Sequence, residues 1–414
     1  MTKVEKSAWS DDPFEAFNQA LSQGTRDPYP DWARMRREAP VHEVNLLEEM
    51  GVDPDTELPE GMELPPSYVV LSYEGVTHVL RDGHTFSSSF YSDTIGAVMG
   101  HSILEMDEPE HHHYRGLIQQ AFTRKALERW QEELVRPMVE AIVDQIAARG
   151  HGDLVRELTF PFPVRVIAGM LGLPPEDLPQ FHRWAVELIS VGFDFELGMA
   201  ASQKLRDYFA AVLAPRRAEP RDDLISVLAQ AELDGQRLTD EEIFAFLRLL
   251  LPAGAETTYR SSSNLLFGLL THPDQLAAVT ADRSLLPQAI EEGVRWEPPL
   301  TGIARFATTA AEIDGVPVPA NSVINVCMGA ANRDETRWER PDEFDIFRPF
   351  HQHVSFALGP HTCLGMHLAR METTVAMETV LDRLPGLRLD PSASDLHIAG
   401  RAFRSPRSLP VLVG

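Results

Sequence analysis

The chain has 414 residues, of which 43% are hydrophobic and 24% are charged, and these values are ordinary for a globular protein. Its net charge of −25 disfavours nucleic acid and anionic membranes as partners. Two cysteines exclude a disulfide framework and indicate a reducing compartment, so we expect the protein to be cytoplasmic.

The N-terminal part of the chain is polar and then strongly acidic. Residues 1–12 contain no apolar segment, so we expect neither a signal peptide nor a membrane anchor. Residues 45–67 carry seven acidic residues, four prolines and no basic residue. This composition predicts an acidic surface insertion without a partner.

The following elements are predicted in chain order. A strand at 68–72 and a short helix at 73–82 come first, and helical periodicity then dominates. The longer helices are predicted at 125–148, 178–191, 200–217, 222–232 and 239–270. Strands return at 323–327 and near the C-terminus. The pattern predicts a mainly α fold with a minor β portion, and the uniform composition indicates one large domain over 1–414.

The longest predicted helix has a clear start and an interrupted middle. Thr239 and Glu242 form a capping box, whereas Pro252 removes a helical hydrogen bond and predicts a kink. The small residue Ala253 follows, and a bulky group could pass close to the helix there. Thr257 comes next to an acid, and a threonine inside a helix bonds back to a carbonyl and loosens the hydrogen-bond ladder.

Residues 356–365 contain Cys363 in the pattern F-x-x-G-x-H-x-C-x-G. Gly359 and Gly365 allow a tight loop and the close approach of a flat ligand to the backbone. A helix is predicted to begin directly afterwards, and a helix N-terminus lowers the pKa of a nearby thiol. A thiolate on such a loop is suited to axial ligation of haem iron.

This loop resembles the haem-ligand loop of cytochromes P-450. The resemblance implies the cytochrome P-450 fold, a single large domain with a long central helix over the haem. It also implies haem b (iron protoporphyrin IX) as the cofactor and Cys363 as the iron ligand. Positions that match the family's cofactor-binding loop are Phe356, Gly359, His361, Cys363 and Gly365.

Further motifs occur in the order found in the family. Residues 253–257 resemble its oxygen-activation motif, which implies that Ala253 faces the haem pocket, Thr257 steadies dioxygen and its water, and Glu256 relays protons. The E-H-x-x-x-R pattern at His111 and Arg115 resembles a haem-propionate site. By the same resemblance, Arg305 and His361 are also propionate ligands. A zinc site at residues 111–113 is not expected, because consecutive helical residues point in different directions.

Glu292 and Arg295 form an E-x-x-R pair that resembles the family's buried charge network beneath the cysteine loop. The resemblance implies a third member, an arginine. Glu343 stands where that arginine is expected, so Arg340 or another residue would have to replace it.

The resemblance implies a bacterial-type monooxygenase that inserts one oxygen atom of dioxygen into a lipophilic small molecule. A separate ferredoxin and ferredoxin reductase would supply the electrons. One alternative is a hydrogen-peroxide-driven peroxygenase, but such relatives lack the acid–alcohol pair kept here as Glu256 and Thr257. A second is a non-catalytic haem-binding sensor or carrier, which would need no proton relay. Oxidation of a substrate tethered to a carrier protein stays open.

Two surfaces are predicted. Apolar segments expected to line the substrate pocket are 86–104, 192–198, 300–303 and 402–403. A local basic patch on the cysteine side is expected to dock an acidic ferredoxin, and its members are His112, His113, Arg124, Lys125, Arg348, His351 and His353.

Overall fold

The computed structural model describes residue 14 and residues 27–49, 63–189 and 194–414. Most of this part of the chain is helical. The helices are α1 Tyr29–Glu38, α2 Leu46–Glu49, α3 Tyr73–Arg81, α4 Ala97–Met99, α5 Glu110–Gln119, α6 Arg124–Trp130, α7 Arg136–Arg149, α8 Pro161–Met170, α9 Leu178–Ile189, α10 Phe195–Ala218, α11 Leu224–Gln230, α12 Asp240–Leu250, α13 Thr257–Thr271, α14 Pro273–Ala281, α15 Leu286–Trp296, α16 Met328–Ala331 and α17 Met366–Arg383.

The strands form a minor β portion. They are β1 Val41–Val44, β2 Ser67–Val70, β3 Phe86–Ser87, β4 His151–Asp153, β5 Glu232–Leu233, β6 Gln236–Arg237, β7 Ile303–Ala307, β8 Ala311–Ile313, β9 Val316–Val318, β10 Ser322–Val326, β11 Arg388–Leu389, β12 Ile398–Ala399, β13 Ser405–Pro406 and β14 Pro410–Leu412. The largest sheet has the order β1-β2-β10-β7-β3. Within it β2 and β10 are parallel, and the other neighbours are antiparallel.

The long central helix is built from α12, a π-helical turn at Leu251–Glu256, and α13. Thr239 and Glu242 form the predicted capping box at its start. Pro252 lies within the π-helical turn, where its missing N–H and its ring displace the ordinary hydrogen-bond ladder. The prediction of a long, interrupted helix is confirmed.

Other helix predictions are correct in position, and the helical run over 124–149 matches the predicted 125–148. The stretch predicted as one helix over 125–148 contains α6 and α7, joined by a π-helical turn at Gln131–Val135. Helix α10 begins five residues before the predicted position 200, because the Asp194 side chain accepts a hydrogen bond from the Leu197 N–H and caps it.

The hydrophobic core has two main parts. The larger one packs around the central helix, and its members include Leu247, Leu251 and Phe209. A smaller one lies on the five-stranded sheet and includes Val70 and Ile324. The site described below lies where elements from both parts meet. Residues 50–62 of the predicted acidic insertion, and residues 1–12, lie outside the described residues.

Candidate active site

The loop that carries Cys363 is fixed by its backbone. Gly359 opens a short 3-10 turn at Gly359–His361 and has φ +73°. A Cβ there would lie 2.4 Å from the Leu80 carbonyl oxygen, so no larger residue fits. The Cys363 N–H donates to the Phe356 carbonyl at 2.8 Å, which closes the loop. Helix α17 begins at Met366, as the sequence predicted.

The Cys363 thiol is accessible to solvent, whereas Cys327 is buried. Protein nevertheless surrounds the thiol on most sides, as at the bottom of a concave site, and burial raises its pKa. The Gly365 N–H, Arg115 and Arg370 act in the opposite direction without reversing the shift. The predicted lowering by the helix N-terminus is present through the Gly365 N–H, but burial outweighs it, so the net shift of the pKa is upward.

The four predicted propionate ligands converge beside this loop. The His111 and His361 rings lie 4.0 Å apart, centroid to centroid. Arg115 Nη2 donates to the Thr362 carbonyl at 2.6 Å, and its charge reaches Cys363 and His361. Arg305 is buried on β7 and also lies near His361. Residues from α5, β7 and the cysteine loop thus form one basic cluster.

The basic cluster satisfies only part of its hydrogen-bonding capacity: His111 Nδ1 lies 3.3 Å from Glu108 Oε1, and His361 Nε2 lies 3.0 Å from Ser88 Oγ. His111 Nε2 is buried and has no hydrogen-bond partner in the described part of the chain. Burial lowers the pKa of Arg305, which donates from Nη1 to its neighbour's carbonyl. Burial and the adjacent cations lower the pKa of His361 to about 3. Two carboxylates, such as haem propionates, would supply the missing acceptors and negative charge, so these residues fit that group.

The loop also leaves room for a flat group at Gly365. An added Cβ at this residue would meet no protein atom within 4 Å. Protein packing explains why residue 359 is a glycine, but it does not explain why residue 365 is one. Close approach of a planar ligand would explain it.

Ala253 and Thr257 lie on the central helix, at and just after the π-helical turn. The Thr257 hydroxyl donates to the Ala253 carbonyl at 2.6 Å, as predicted for a threonine in this position. Ala253 is exposed and Thr257 is half-buried, so both face open space rather than the core. The hydroxyl can exchange this carbonyl for a water or a ligand.

Glu256 has a different environment from its neighbour Thr257. It is buried, and its Oε1 accepts hydrogen bonds from Arg260 Nη2 at 3.0 Å and Nε at 3.2 Å. Its Oε2 has no hydrogen-bond partner among the described residues. Burial raises its pKa in spite of Arg260. One oxygen is thus held in an ion pair while the other is available.

Glu372 was missed by the sequence reasoning. It lies on α17, is buried, and accepts a hydrogen bond from Thr258, the residue next to Thr257. Burial raises its pKa to about 8. A usable signal existed, since Glu372 shares the helical spacing of the buried apolar residues Leu368 and Val375.

The E-x-x-R pair is buried and has a third member. Arg295 donates to both oxygens of Glu292, at 2.7 and 2.8 Å. Arg348 Nε lies 3.4 Å from Glu292 Oε1 and completes the network. Arg340 is wrong as the candidate, because it is exposed and pairs with Glu343 instead.

The predicted basic patch loses two members for the same reason. Arg348 belongs to this network, and buried His353 lies 3.1 Å from the Glu291 carboxylate. Neither can form part of a docking surface. Arg124, Lys125 and His351 are exposed.

Two predicted pocket segments are joined. The Thr301 N–H donates to the Ala402 carbonyl at 2.8 Å, and Leu300 forms a β-bridge with Phe403. Residues 192 and 193 of a third segment lie outside the described residues. Across the described ranges, no helix combines the length and apolar character needed to cross a membrane.

A family model for cytochrome P450 matches residues 194–386. Cytochrome P450 monooxygenase PikC of Streptomyces venezuelae is 35% identical over 399 residues, which cover 93% of this chain and 91% of PikC. Steroid C26-monooxygenase of Mycobacterium tuberculosis is 37% identical over 317 residues, which cover 75% of this chain and 85% of that enzyme.

Solved structures are similar over almost the whole length. CYP109E1 of Bacillus megaterium in complex with testosterone has a TM-score of 0.83 and 30% identity, and the match covers 94% of this chain and 99% of that one. CYP109Q5 of Chondromyces apiculatus has a TM-score of 0.83 and 34% identity, with 94% and 95% coverage.

Proposed function

This chain belongs to the cytochrome P450 family, and we propose that it inserts one oxygen atom of dioxygen into a lipophilic small molecule. Its relatives establish that it is an enzyme of the P450 monooxygenase class with a haem cofactor. We take the haem to be haem b. The electrons would come from a separate ferredoxin and ferredoxin reductase.

The residues that would hold the haem are those of the cysteine loop and the basic cluster. Cys363 would ligate the iron through sulfur, and His111, Arg115, Arg305 and His361 would hold the propionates. When bound, a haem with a thiolate ligand supplies the activation of dioxygen. Ligation through sulfur requires the deprotonated thiol, so haem binding at Cys363 would be accompanied by loss of its proton.

Proton delivery is the task of the central helix. The Thr257 hydroxyl bonds to the Ala253 carbonyl and faces open space, where it can orient a water. Glu256 lies one residue away, and one of its carboxylate oxygens has no partner in the part of the chain that the structure describes. Glu372 is largely protonated at neutral pH and lies beside Thr258, so it can store a proton behind the helix.

The substrate class follows from the apolar pocket segments and from the relatives. Relatives are named for steroid C26 and erythromycin C-12 oxidation, and a structural neighbour is described with testosterone. The molecules in these names are all large and lipophilic. The substrate proposed for this chain has the same character.

The observation that carries this proposal is the convergence of Cys363 with a basic cluster in which the buried His111 Nε2 has no partner among the described residues. The test is the spectrum of the purified protein after reduction under carbon monoxide. A band at about 450 nm indicates thiolate ligation, and Cys363→His should lose it. Retention of the band in that variant contradicts the assignment of Cys363.

A second assay separates monooxygenase from peroxygenase. Product should form with ferredoxin, its reductase, NAD(P)H and dioxygen. Product formation with hydrogen peroxide alone, and none with the electron-transfer chain, indicates a peroxygenase. Haem binding without product in either assay indicates a sensor or carrier.

A further inference from the structure

Arg248 is a buried arginine in the last turn of α12, and the residue is 8% exposed. It lies where three elements meet. Its Nη1 donates to Ser202 Oγ of α10 at 2.9 Å, and Ser202 in turn donates to the Val98 carbonyl of α4. Its Nε donates to the Phe244 carbonyl, one turn earlier on α12, at 3.2 Å.

These hydrogen bonds use two of the five N–H groups of the guanidinium. Nη2 has no acceptor among the described residues. Glu241 is the acid whose charge acts on Arg248, and its carboxylate forms an ion pair with half-buried Arg206. Arg206 also adds like charge next to Arg248. Within the described ranges, Arg248 is therefore a buried cation that no carboxylate pairs with.

Such a cation is costly to the folded protein. Burial lowers the Arg248 pKa, and the neighbouring Arg206 acts in the same direction. A buried ion without a counterion destabilises the folded state even after the protein relaxes. A neutral donor such as glutamine could bond to Ser202 at lower cost, so the link between helices does not explain the charge.

The position of Arg248 connects it to the substrate site. It lies five residues before Ala253 on the central helix, about 7.5 Å along the axis. Its Nη2 lies 2.9 Å from the position of an added Cβ at Gly100, inside the predicted pocket segment 86–104. Helix α10, which carries Ser202, begins inside the segment 192–198. The uncompensated end of Arg248 thus lies among the segments expected to surround the substrate.

We infer that Arg248 is a specificity-determining residue that binds a carboxylate of an otherwise lipophilic substrate. This inference rests on the proposed function and names the substrate class of the same site. A carboxylate would supply the missing counterion and would accept hydrogen bonds from Nη2 and from the remaining Nη1 hydrogen together. A neutral steroid or macrolide would leave the cation uncompensated.

The test uses the haem-loaded protein and titrations followed by the shift of the haem Soret band. Probes are n-alkanoic acids and steroid carboxylic acids, each paired with its methyl ester, which removes only the charge. The wild type should bind at least one acid more tightly than its methyl ester, by a factor of about ten or greater. Arg248→Gln should abolish that difference, because it should weaken binding of the acid and leave binding of the ester unchanged.

Three variants control for structural effects. Arg206→Gln removes the neighbouring half-buried cation and should keep the preference for the acid. Ser202→Ala breaks the link between α10 and α4 and keeps the charge of Arg248. It should also keep the preference for the acid. Arg248→Lys should retain part of the preference, since it keeps the charge but loses the paired donors.

The outcomes separate this inference from the proposed function. A wild type without preference for any acid overturns the inference, even where Arg248→Gln fails to fold. If a folded Arg248→Gln protein binds the acid and the ester equally less tightly, the inference is also overturned, since Arg248 is then only structural. Loss of the thiolate band at about 450 nm in the wild type contradicts the proposed function instead.

Discussion

Arg348 Nε lies 3.4 Å from Glu292 Oε1, on the carboxylate that also holds Arg295. The same guanidinium donates to the carbonyls of Arg340 and Glu343, at 2.9 and 3.1 Å. The Asp345 N–H donates to Glu292 Oε1 as well. One carboxylate therefore ties α15 to the segment that leads into the cysteine loop.

Arg348→Met should destabilise the protein strongly, because it leaves Glu292 with one fewer cation and three segments without their link. Loss of one partner from a buried ionic network costs about 3–5 kcal/mol. Urea unfolding and haem content measure the effect. Arg340→Gln is the matched control, since this exposed arginine contributes less than about 1 kcal/mol. Equal effects of the two changes would show that Arg348 is not the third member.

Thr257→Ala should leave substrate-induced spectral shifts intact and divert electrons to hydrogen peroxide. The reason is that the variant keeps the pocket and loses the hydroxyl that orients water. Product formed per NAD(P)H consumed should fall several-fold. Thr257→Ser keeps a hydroxyl and should retain most of the coupling. Wild-type coupling in the alanine variant would rule out this role.

Glu372 should make stability depend on pH. Its folded pKa of about 8 exceeds its ordinary value of 4.5, so the folded protein binds one more proton than the unfolded chain between these values. Its contribution is fully present below pH 4.5 and is lost as pH rises through about 8. The slope from this group is at most about 1.4 kcal/mol per pH unit.

The measurement is the difference in unfolding free energy between wild type and Glu372→Gln across this pH range. Glutamine keeps the shape and cannot ionise, so the wild type should lose stability relative to the variant as pH rises. A difference that does not change with pH contradicts the raised pKa.

Gly359→Ala and Gly365→Ala should separate folding from haem binding. Alanine at Gly359 clashes with the Leu80 carbonyl at a φ of +73°, so the protein itself should lose about 1–3 kcal/mol. Alanine at Gly365 meets no protein atom, so stability without haem should be unchanged and haem affinity should fall. Measuring apoprotein unfolding and haem titration on both variants checks this. Normal haem affinity in Gly365→Ala would show that the haem does not approach this glycine.

Arg124 and Lys125 are the remaining candidates for ferredoxin docking at the start of α6. Reversing both charges should slow ferredoxin-driven reduction several-fold at low salt, and the effect should shrink as salt rises. Turnover driven by hydrogen peroxide should stay the same. Equal loss in both assays would indicate a folding defect, and no loss would place the docking surface elsewhere.

The sequence predicted what local chemistry determines. The capping box at Thr239, the start of α17 and the threonine bonded back to Ala253 all depend on neighbours within four residues. The family motifs predicted which residues cluster around Cys363, although these residues come from distant segments of the chain. The fold class was predicted correctly on the same grounds.

What could not be predicted depends on long-range packing. Arg348 reaches Glu292 across 56 positions, and the path of the intervening chain has no sequence signature. The Cys363 pKa depends on burial by surrounding segments, which outweighs the helix end that the sequence shows. Glu372 is buried against α13, and a single acid in a helical pattern does not reveal its partner.

The π-helical turn at Leu251–Glu256 also has an evolutionary consequence. A π-turn carries one residue more than the α-helical turn it replaces, so it shifts the phase between the two halves of a helix. The sequence of the half that carries Arg248 can therefore change to accommodate new substrates, while the half that carries Thr257 keeps its orientation. A one-residue deletion in this turn would restore a uniform phase and rotate one half against the other. Diversification of such an enzyme would tolerate point substitutions before the turn far better than length changes within it.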